Sequence, residues 1–328
     1  PGVIRADVYH HPVGVVGLIA PWNYPLTLAI SDALPALVAG NAVVCKPAEE
    51  TTHVALYARK LLTDAGVPPE LFQIVTGRGP AVGPPLIESV DYVAFTGSTE
   101  TGRTVAAQAG EQLVPVSMEL GGKNPLVVLD DADPAAAARG SIRACFANAG
   151  QLCITSERLY VHESVYESFR DAFVDAVEDI SLGFGYDWDA DMGPLLSAAQ
   201  FEKTQRHVTD AVDRGATVVT GGEPRPDLGP YFFEPTVLAD VPADVTVGET
   251  ETFGPVVSLY PVESTDEAIE RANDTAYGLH GNVWTGDVER GREVARQIDC
   301  GTVAVNEGYA AAWGSLDAPM GGRGDSGI

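Results

Sequence analysis

Val13-Gly14-Val15-Val16-Gly17-Leu18-Ile19-Ala20-Pro21-Trp22-Asn23-Tyr24-Pro25 reads as a buried strand running into a turn. β-Branched residues and glycines fill 13–20, and the prolines then bracket a polar Asn23 between two aromatic residues. The same grammar repeats downstream. Residues 26–39 read as an apolar helix kinked at Pro35, and 41–45 as a strand. Residues 51–65 read as a helix capped by Thr51 or Thr52, 71–75 as a strand and 79–89 as a short helix. Residues 92–95, 99–108 and 113–118 continue as strand, helix and strand. Strands alternating with helices predict a doubly wound, mainly parallel α/β sheet. A second alternation follows, with strands expected at 125–129, 158–161, 217–220, 236–238, 256–262 and 301–305. Helices are expected at 134–147, 164–180, 198–214, 265–273 and 288–298, and a Gly/Pro-rich loop at 221–235. The expected fold class is two doubly wound α/β domains.

The bulk properties narrow the function. A net charge of -26, with acidic residues spread along the chain, argues against binding nucleic acid or an anionic membrane by electrostatics. Only Lys46, Lys60, Lys123 and Lys203 are lysines; the other basic residues are arginines. That acidic, lysine-poor composition leads us to expect a protein soluble in concentrated salt, a halophile. The four cysteines show no metal-ligand spacing and no disulfide pattern, so we expect a reducing, cytoplasmic setting and no metal. No apolar run approaches the ~18 residues needed to span a bilayer. The chain starts at Pro1 rather than Met, and we expect it to be a fragment of a longer protein.

Two islands carry the chemistry. In Asn148-Ala149-Gly150-Gln151-Leu152-Cys153-Ile154-Thr155, small and polar neighbours keep the Cys153 sulfur reachable. In Met118-Glu119-Leu120-Gly121-Gly122-Lys123-Asn124-Pro125, a carboxylate ends an apolar strand just before a glycine pair. A thiol nucleophile and a separate carboxylate base are the parts of a covalent mechanism. Cys45, Cys145 and Cys300 read as small buried hydrophobes. Lys123 reads as a structural partner for a carboxylate.

Gly97-Ser98-Thr99-Glu100-Thr101-Gly102-Arg103-Thr104 nearly fits the phosphate loop of nucleotide hydrolases, with Arg103 in place of the lysine. Gly77 to Gly83 nearly fits GxGxxG, with one residue too many. Both also read as strand-to-helix turns, and the first places backbone amides where a pyrophosphate would bind. Lys46 and Glu49 follow a strand end, where α/β sheets place ligands, whereas Glu50 reads as a solvated helix start.

Met-Glu-Leu-Gly-Gly-Lys-Asn-Pro and Gly-Gln-Leu-Cys closely resemble the two signatures of the NAD(P)-dependent aldehyde dehydrogenase superfamily. Further resembling blocks lie at 21–25, 46–51, 95–102, 251–255 and 319–327, so the resemblance runs through nearly the whole chain. It implies Cys153 as nucleophile, Glu119 as the base that activates water, and the Asn23 amide as an oxyanion donor partnered by the Cys153 backbone N–H. It places Gly97 and Ser98 on the dinucleotide phosphates, and Lys46 and Glu49 on the adenine-ribose hydroxyls. Glu251 would grip the nicotinamide ribose and Phe253 lie against the ring, with Trp22, Gly79, Leu120 and Gly121 completing the cofactor site. The Glu49 carboxylate repels a 2′-phosphate, so NAD is expected as cofactor, with NADP possible.

The resemblance also implies domain limits. Residues 1–11 would end an oligomerisation hairpin, 12–121 form the NAD-binding domain and 122–310 the catalytic domain. Residues 311–328 would return toward the cofactor and oligomerisation region, and the protein would be a homodimer or homotetramer acting on a small aldehyde. The stretch from Tyr309 to Gly322 is similar to enzymes assigned to succinate semialdehyde. Better-understood members of that group hold the distal carboxylate with arginines six residues before the cysteine and eight after the oxyanion asparagine. Ala147 and Ser31 occupy those positions here. The alternatives are an enzyme acylating coenzyme A, a phosphate-loop hydrolase or kinase-like protein built on 97–104, and an inactive structural homologue.

Overall fold

The computed structural model describes residues 6–310, 314–315 and 320–328. They form two compact units that divide between Glu119 and Leu120. The first contains β1 (Val15–Ala20), α1 (Pro25–Ile30), α2 (Ala33–Val38), β2 (Ala42–Pro47) and α3 (Thr52–Asp64). It continues through β3 (Phe72–Ile74), α4 (Gly79–Ile87), β4 (Tyr92–Thr96), α5 (Thr99–Glu111) and β5 (Val116–Glu119). The strands lie in the order β3-β2-β1-β4-β5, and every pairing is parallel. The order reverses between β1 and β4, so the loops after these two strands diverge. A crevice opens at their carboxyl ends, the usual ligand position in this topology. Val16, Leu18, Val43, Cys45 and Phe72 fill the core on this sheet.

The second unit holds β6 (Asn124–Val128), α6 (Pro134–Phe146), β7 (Ser156–His162), α7 (Glu163–Glu178), α8 (Ala198–Asp213) and β8 (Thr217–Thr220). After these come β9 (Thr236–Ala239), α9 (Thr246–Glu249), β10 (Val256–Val262), α10 (Thr265–Asn273), β11 (His280–Trp284), α11 (Val288–Ala295) and β12 (Thr302–Val305). The order is β12-β11-β6-β7-β10-β9-β8, parallel except for β8, which pairs antiparallel with β9 at the edge. Both sheets are therefore the doubly wound type the alternation predicted. β6, β7 and β10 are buried on both faces nearly throughout, which explains their unbroken apolar runs. Phe146 of α6 stacks on Phe173 of α7 at 6.1 Å, and Phe169 on Phe173 at 5.4 Å. Truncating such a buried ring costs about 3–5 kcal/mol, so the helix leading to Cys153 is firmly seated.

The structure corrects several expectations. Residues 26–39 are two short helices that break at Ser31–Asp32, not at Pro35. Proline has no N–H for the carbonyl one turn earlier and its ring crowds that carbonyl, so Pro35 acts at residue 31. The strand expected from Leu113 begins at Val116, because Leu113 sits in a left-handed turn (φ 58°) with its side chain 91% exposed. β11 and the four-residue α9 were not foreseen. The start of β11, His280-Gly281-Asn282, hides a strand behind polar residues that are fully buried. Cys300 is half-buried rather than fully enclosed. Among the described residues no helix is long and apolar enough to cross a membrane.

Candidate active site

In the first unit the parallel sheet puts the candidate residues on one edge. Trp22 and Asn23 follow β1, Lys46 lies in the last turn of β2, Gly97 and Ser98 follow β4, and Glu119 ends β5. The Lys46 ammonium is buried, donates to the Pro47 carbonyl at 2.8 Å and lies 3.8 Å from Glu49. Glu49 reaches across to the start of α4, where its carboxylate accepts the Gly79 amide at 2.8 Å. Lys46, Glu49 and Gly79 are thus one cluster; Glu49 and Glu50 are both exposed.

Gly97 donates its amide to the Glu119 carbonyl at 3.0 Å, tying the ends of β4 and β5 together. A side chain at Gly97 would lie 2.6 Å from the Phe95 ring, so the close turn requires glycine. Ser98 caps α5 by accepting the Thr101 amide. The phosphate-loop alternative fails here. The helix begins at Thr99, so Thr99 to Thr104 are helical rather than a loop able to wrap phosphates, and Arg103 lies inside the first turns.

Burial pushes the Glu119 carboxyl up to about 7, and the nearby Asp32 carboxylate adds to the rise. A carboxyl near 7 is suited to exchange protons at neutral pH.

The second unit gathers its candidates at the opposite, amino-terminal edge of its sheet. Gly121 and Gly122 precede β6, Cys153 precedes β7, and Glu251 to Phe253 precede β10. α6 starts with Asp133, whose carboxylate accepts the amides of Ala135 and Ala136, and with Pro134 at its first position. It ends at Phe146, after which Asn148, Ala149 and Gly150 take φ values of 53°, 57° and 69°. Three successive left-handed residues reverse the chain sharply, and for Ala149 this costs about 1–2 kcal/mol. Side chains hold the strained turn. Gln151 donates to the Asn148 carbonyl at 3.0 Å and accepts the Leu196 amide at 2.9 Å.

Cys153 emerges from this turn half-buried. Asn124 clamps the segment, donating to the carbonyls of Cys153 and Thr155, each at 2.8 Å. Desolvation raises the other thiols: Cys45 and Cys300 are both pushed up to about 12, and Cys145 is raised as well. A raised pKa leaves little thiolate on these three at neutral pH.

The 251–254 segment is bolted on two sides. Its amides at Thr252 and Phe253 donate to the buried carboxylate of Glu157, which also pairs with the buried Lys123 ammonium. Its carbonyls at Thr252 and Phe253 accept from the Gln200 side chain at 2.9 and 2.6 Å. Phe253 is held in a left-handed conformation (φ 55°), and Glu251 accepts the Gly122 amide at 2.9 Å. Burial raises the Glu251 carboxyl to about 7. Leu120 and Gly121 bond Ser326 through its carbonyl and hydroxyl, so residues 320–328 join this unit. The sequence reading missed Glu157 and Gln200, and it quoted Asn124 and Gln151 inside the two motifs without giving them the clamping roles they hold.

The sequence profile of the aldehyde dehydrogenase family matches residues 4–328. The chain is 53% identical over all 328 residues to the "Putative succinate-semialdehyde dehydrogenase", NADP+ type, of Mycolicibacterium smegmatis, covering 63% of that protein. It is 40% identical to phenylacetaldehyde dehydrogenase of Pseudomonas fluorescens, over 99% of this chain and 64% of that one. Betaine aldehyde dehydrogenase from Staphylococcus aureus, solved with NAD+, superposes with a TM-score of 0.92 at 37% identity, over 97% of this chain and 63% of that one. The chain therefore spans a little under two thirds of the length of these relatives. It belongs to the aldehyde dehydrogenase family.

Proposed function

We propose that the protein oxidises an aldehyde to a carboxylic acid, with Cys153 as the nucleophile. The observation that carries this reading is the contrast among the thiols. The pKa values of Cys45, Cys145 and Cys300 are raised, while Cys153 alone follows a strained, braced turn at a sheet edge.

In the proposed sequence the Cys153 thiolate adds to the aldehyde carbon, and the carbonyl becomes an oxyanion of a thiohemiacetal. The Asn23 amide donates to that oxyanion, a contact whose loss typically raises a barrier by about 3 kcal/mol. A bound nicotinamide dinucleotide supplies the acceptor for the hydride leaving that carbon. The resulting thioester on Cys153 is opened by water, whose proton passes to Glu119; the carboxylic acid leaves and the thiol is restored. A Glu119 carboxyl near 7 supports hydrolysis over transfer to coenzyme A.

The residues suit a dinucleotide. Glu49, Lys46 and Gly79 cluster beyond the end of β2, as ribose hydroxyls would require, and the amides opening α5 at Gly97 and Ser98 suit a pyrophosphate. The carboxylate of Glu49 favours NAD over NADP, although the Mycolicibacterium relative carries NADP+ in its name. A short aldehyde such as succinate semialdehyde is the substrate most in keeping with the relative at 53% identity. A homodimer or homotetramer in the cytoplasm completes the reading.

The test is Cys153→Ala in the complete protein, assayed by formation of reduced nicotinamide. Activity should vanish while dinucleotide binding, followed by fluorescence titration, stays intact. Equal loss from Cys145→Ala with the fold preserved would refute Cys153 as nucleophile.

A further inference from the structure

We propose that His207 of α8 is a positioning residue for hydride transfer: by holding the Thr252 side chain it sets the 251–253 segment against the bound dinucleotide. This rests on the function proposed above, and on the place at the nicotinamide end of the cofactor that the family resemblance implies for Glu251 and Phe253.

α8 turns one face toward this segment. Gln200, Thr204, His207 and Ala211 recur at helical spacing, and the last three are buried. Gln200 donates to the carbonyls of Thr252 and Phe253. One turn further, a side chain at Gly254 would lie 2.4 Å from the Thr204 hydroxyl oxygen, so the helix packs directly on the segment. Another turn on, His207 Nδ1 lies 3.1 Å from Thr252 Oγ1. Two turns of helix thus engage three consecutive residues, 252 to 254.

Thr252 is held at all its polar groups. Its amide donates to Glu157 of β7, its carbonyl accepts from Gln200, and its hydroxyl bonds to His207. The residue is fully buried, so bulk water cannot stand in for the imidazole. On one side of it Glu251 accepts the Gly122 amide, and on the other Phe253 takes its left-handed conformation. A strained backbone of that kind persists only where its surroundings over-determine it. Glu157 and Gln200 grip the main chain of 252–253. His207 grips a side chain, and so restrains the rotation of the segment as well as its place.

The imidazole suits the position. Burial lowers the His207 pKa to about 4, and the charges of Lys123, Lys203 and Arg206 add to the fall against the pull of Glu157. The ring is therefore neutral at neutral pH, with one nitrogen that donates and one that accepts. It can bond a hydroxyl without setting a second buried cation beside the Lys123–Glu157 pair.

The experiment is a double-variant cycle in the complete protein, read as the rate of the first-turnover burst of reduced nicotinamide. His207→Phe keeps a ring but strands the Thr252 hydroxyl, and Thr252→Val removes that hydroxyl while keeping the shape. Each should slow the burst by about 3–10-fold, the scale of one hydrogen bond, and the double variant should be no slower than His207→Phe. His207→Asn, whose amide can take the place of Nδ1, should recover part of the rate. Alkylation of Cys153 by iodoacetamide without dinucleotide should stay close to the wild-type rate, which separates a misplaced cofactor from a damaged thiol. An unchanged burst in either single variant would overturn the proposal, and Thr252→Val decides alone should His207→Phe fail to fold. Losses that add in the double variant, or a matching fall in alkylation, would overturn it as well. A wild type that oxidises no aldehyde in a wide panel would instead overturn the proposed function, and this inference with it.

Discussion

The buried carboxylate of Glu157 accepts the backbone amide of Phe253 at 2.9 Å across 96 residues of sequence. It also accepts the Thr252 amide and pairs with the Lys123 ammonium, so an ion pair is enclosed with all its charges used. Burial drives the Lys123 pKa down, with the Arg158 charge adding to the fall, against the pull of Glu157 and Glu251. Glu157→Gln should therefore leave a buried ammonium unpaired and destabilise the protein by about 3–5 kcal/mol. Chemical denaturation would measure it. The double variant Lys123→Met with Glu157→Leu should regain most of that stability but not the position of the 251–253 backbone. A Glu157→Gln variant as stable as wild type would show that the pair contributes nothing.

This arrangement also marks the limit of reading the chain alone. The strands, and Cys153 as the candidate nucleophile, could be read from local patterns: apolar runs between turns, and small polar neighbours around Cys153. Glu157 could not be read that way. In sequence it is one acidic residue at the start of a strand, and its partners stand 34, 95 and 96 residues away. His280 and Asn282 misled for the same reason. Their polarity signals a loop, yet the groups that satisfy them come from Thr302, Gly308, Ser156 and Glu307, so they form a buried strand next to the sheet edge. Helix breaks failed differently, since Pro35 acts one turn upstream of itself.

Neighbouring positions in the turn before Cys153 should respond in opposite directions. Gly150 has φ 69°, and a side chain there would lie 2.1 Å from the Gly254 carbonyl oxygen, a backbone atom that cannot swing aside. Gly150→Ala should cost about 1–3 kcal/mol from overlap and a further ~1–2 from the left-handed conformation. Ala149→Gly, at φ 57°, removes that conformational penalty and should be neutral or stabilising by up to about 1 kcal/mol. Thermal unfolding of both variants checks the pair. Similar losses from both would mean that the turn is not strained.

The net charge of -26 sets an expectation about salt. Self-repulsion at this charge is relieved by screening. If the protein is adapted to concentrated salt, as we propose, its melting temperature should rise from dilute buffer into molar potassium chloride. A melting temperature indifferent to salt would count against that adaptation.

Glu49 offers a test of cofactor choice. Its carboxylate is fixed by the Gly79 amide on one oxygen and lies near Lys46 on the other. Glu49→Ser would remove the charge facing a 2′-phosphate and leave the Lys46 ammonium beside it. The kcat/KM ratio of NADP+ over NAD+ should rise at least about tenfold, the scale of one charged contact. A ratio that does not move would take Glu49 out of the ribose site.

Glu119 gives a prediction with a definite sign. A base works only when deprotonated, and its carboxyl lies at about 7 because burial disfavours the charge and Asp32 repels it. Where hydrolysis of the thioester limits turnover, kcat should be low below pH 6, climb through about 7 and level off above 8. Asp32→Asn removes the like charge, so the climb should move to lower pH while the burial contribution remains. Glu119→Gln should permit one burst of reduced nicotinamide and then stall, since hydride leaves before water attacks. The burst is the deciding measurement. A burst of full size followed by a stall places Glu119 after hydride transfer, whereas its disappearance would assign the carboxylate to activation of the Cys153 thiol instead.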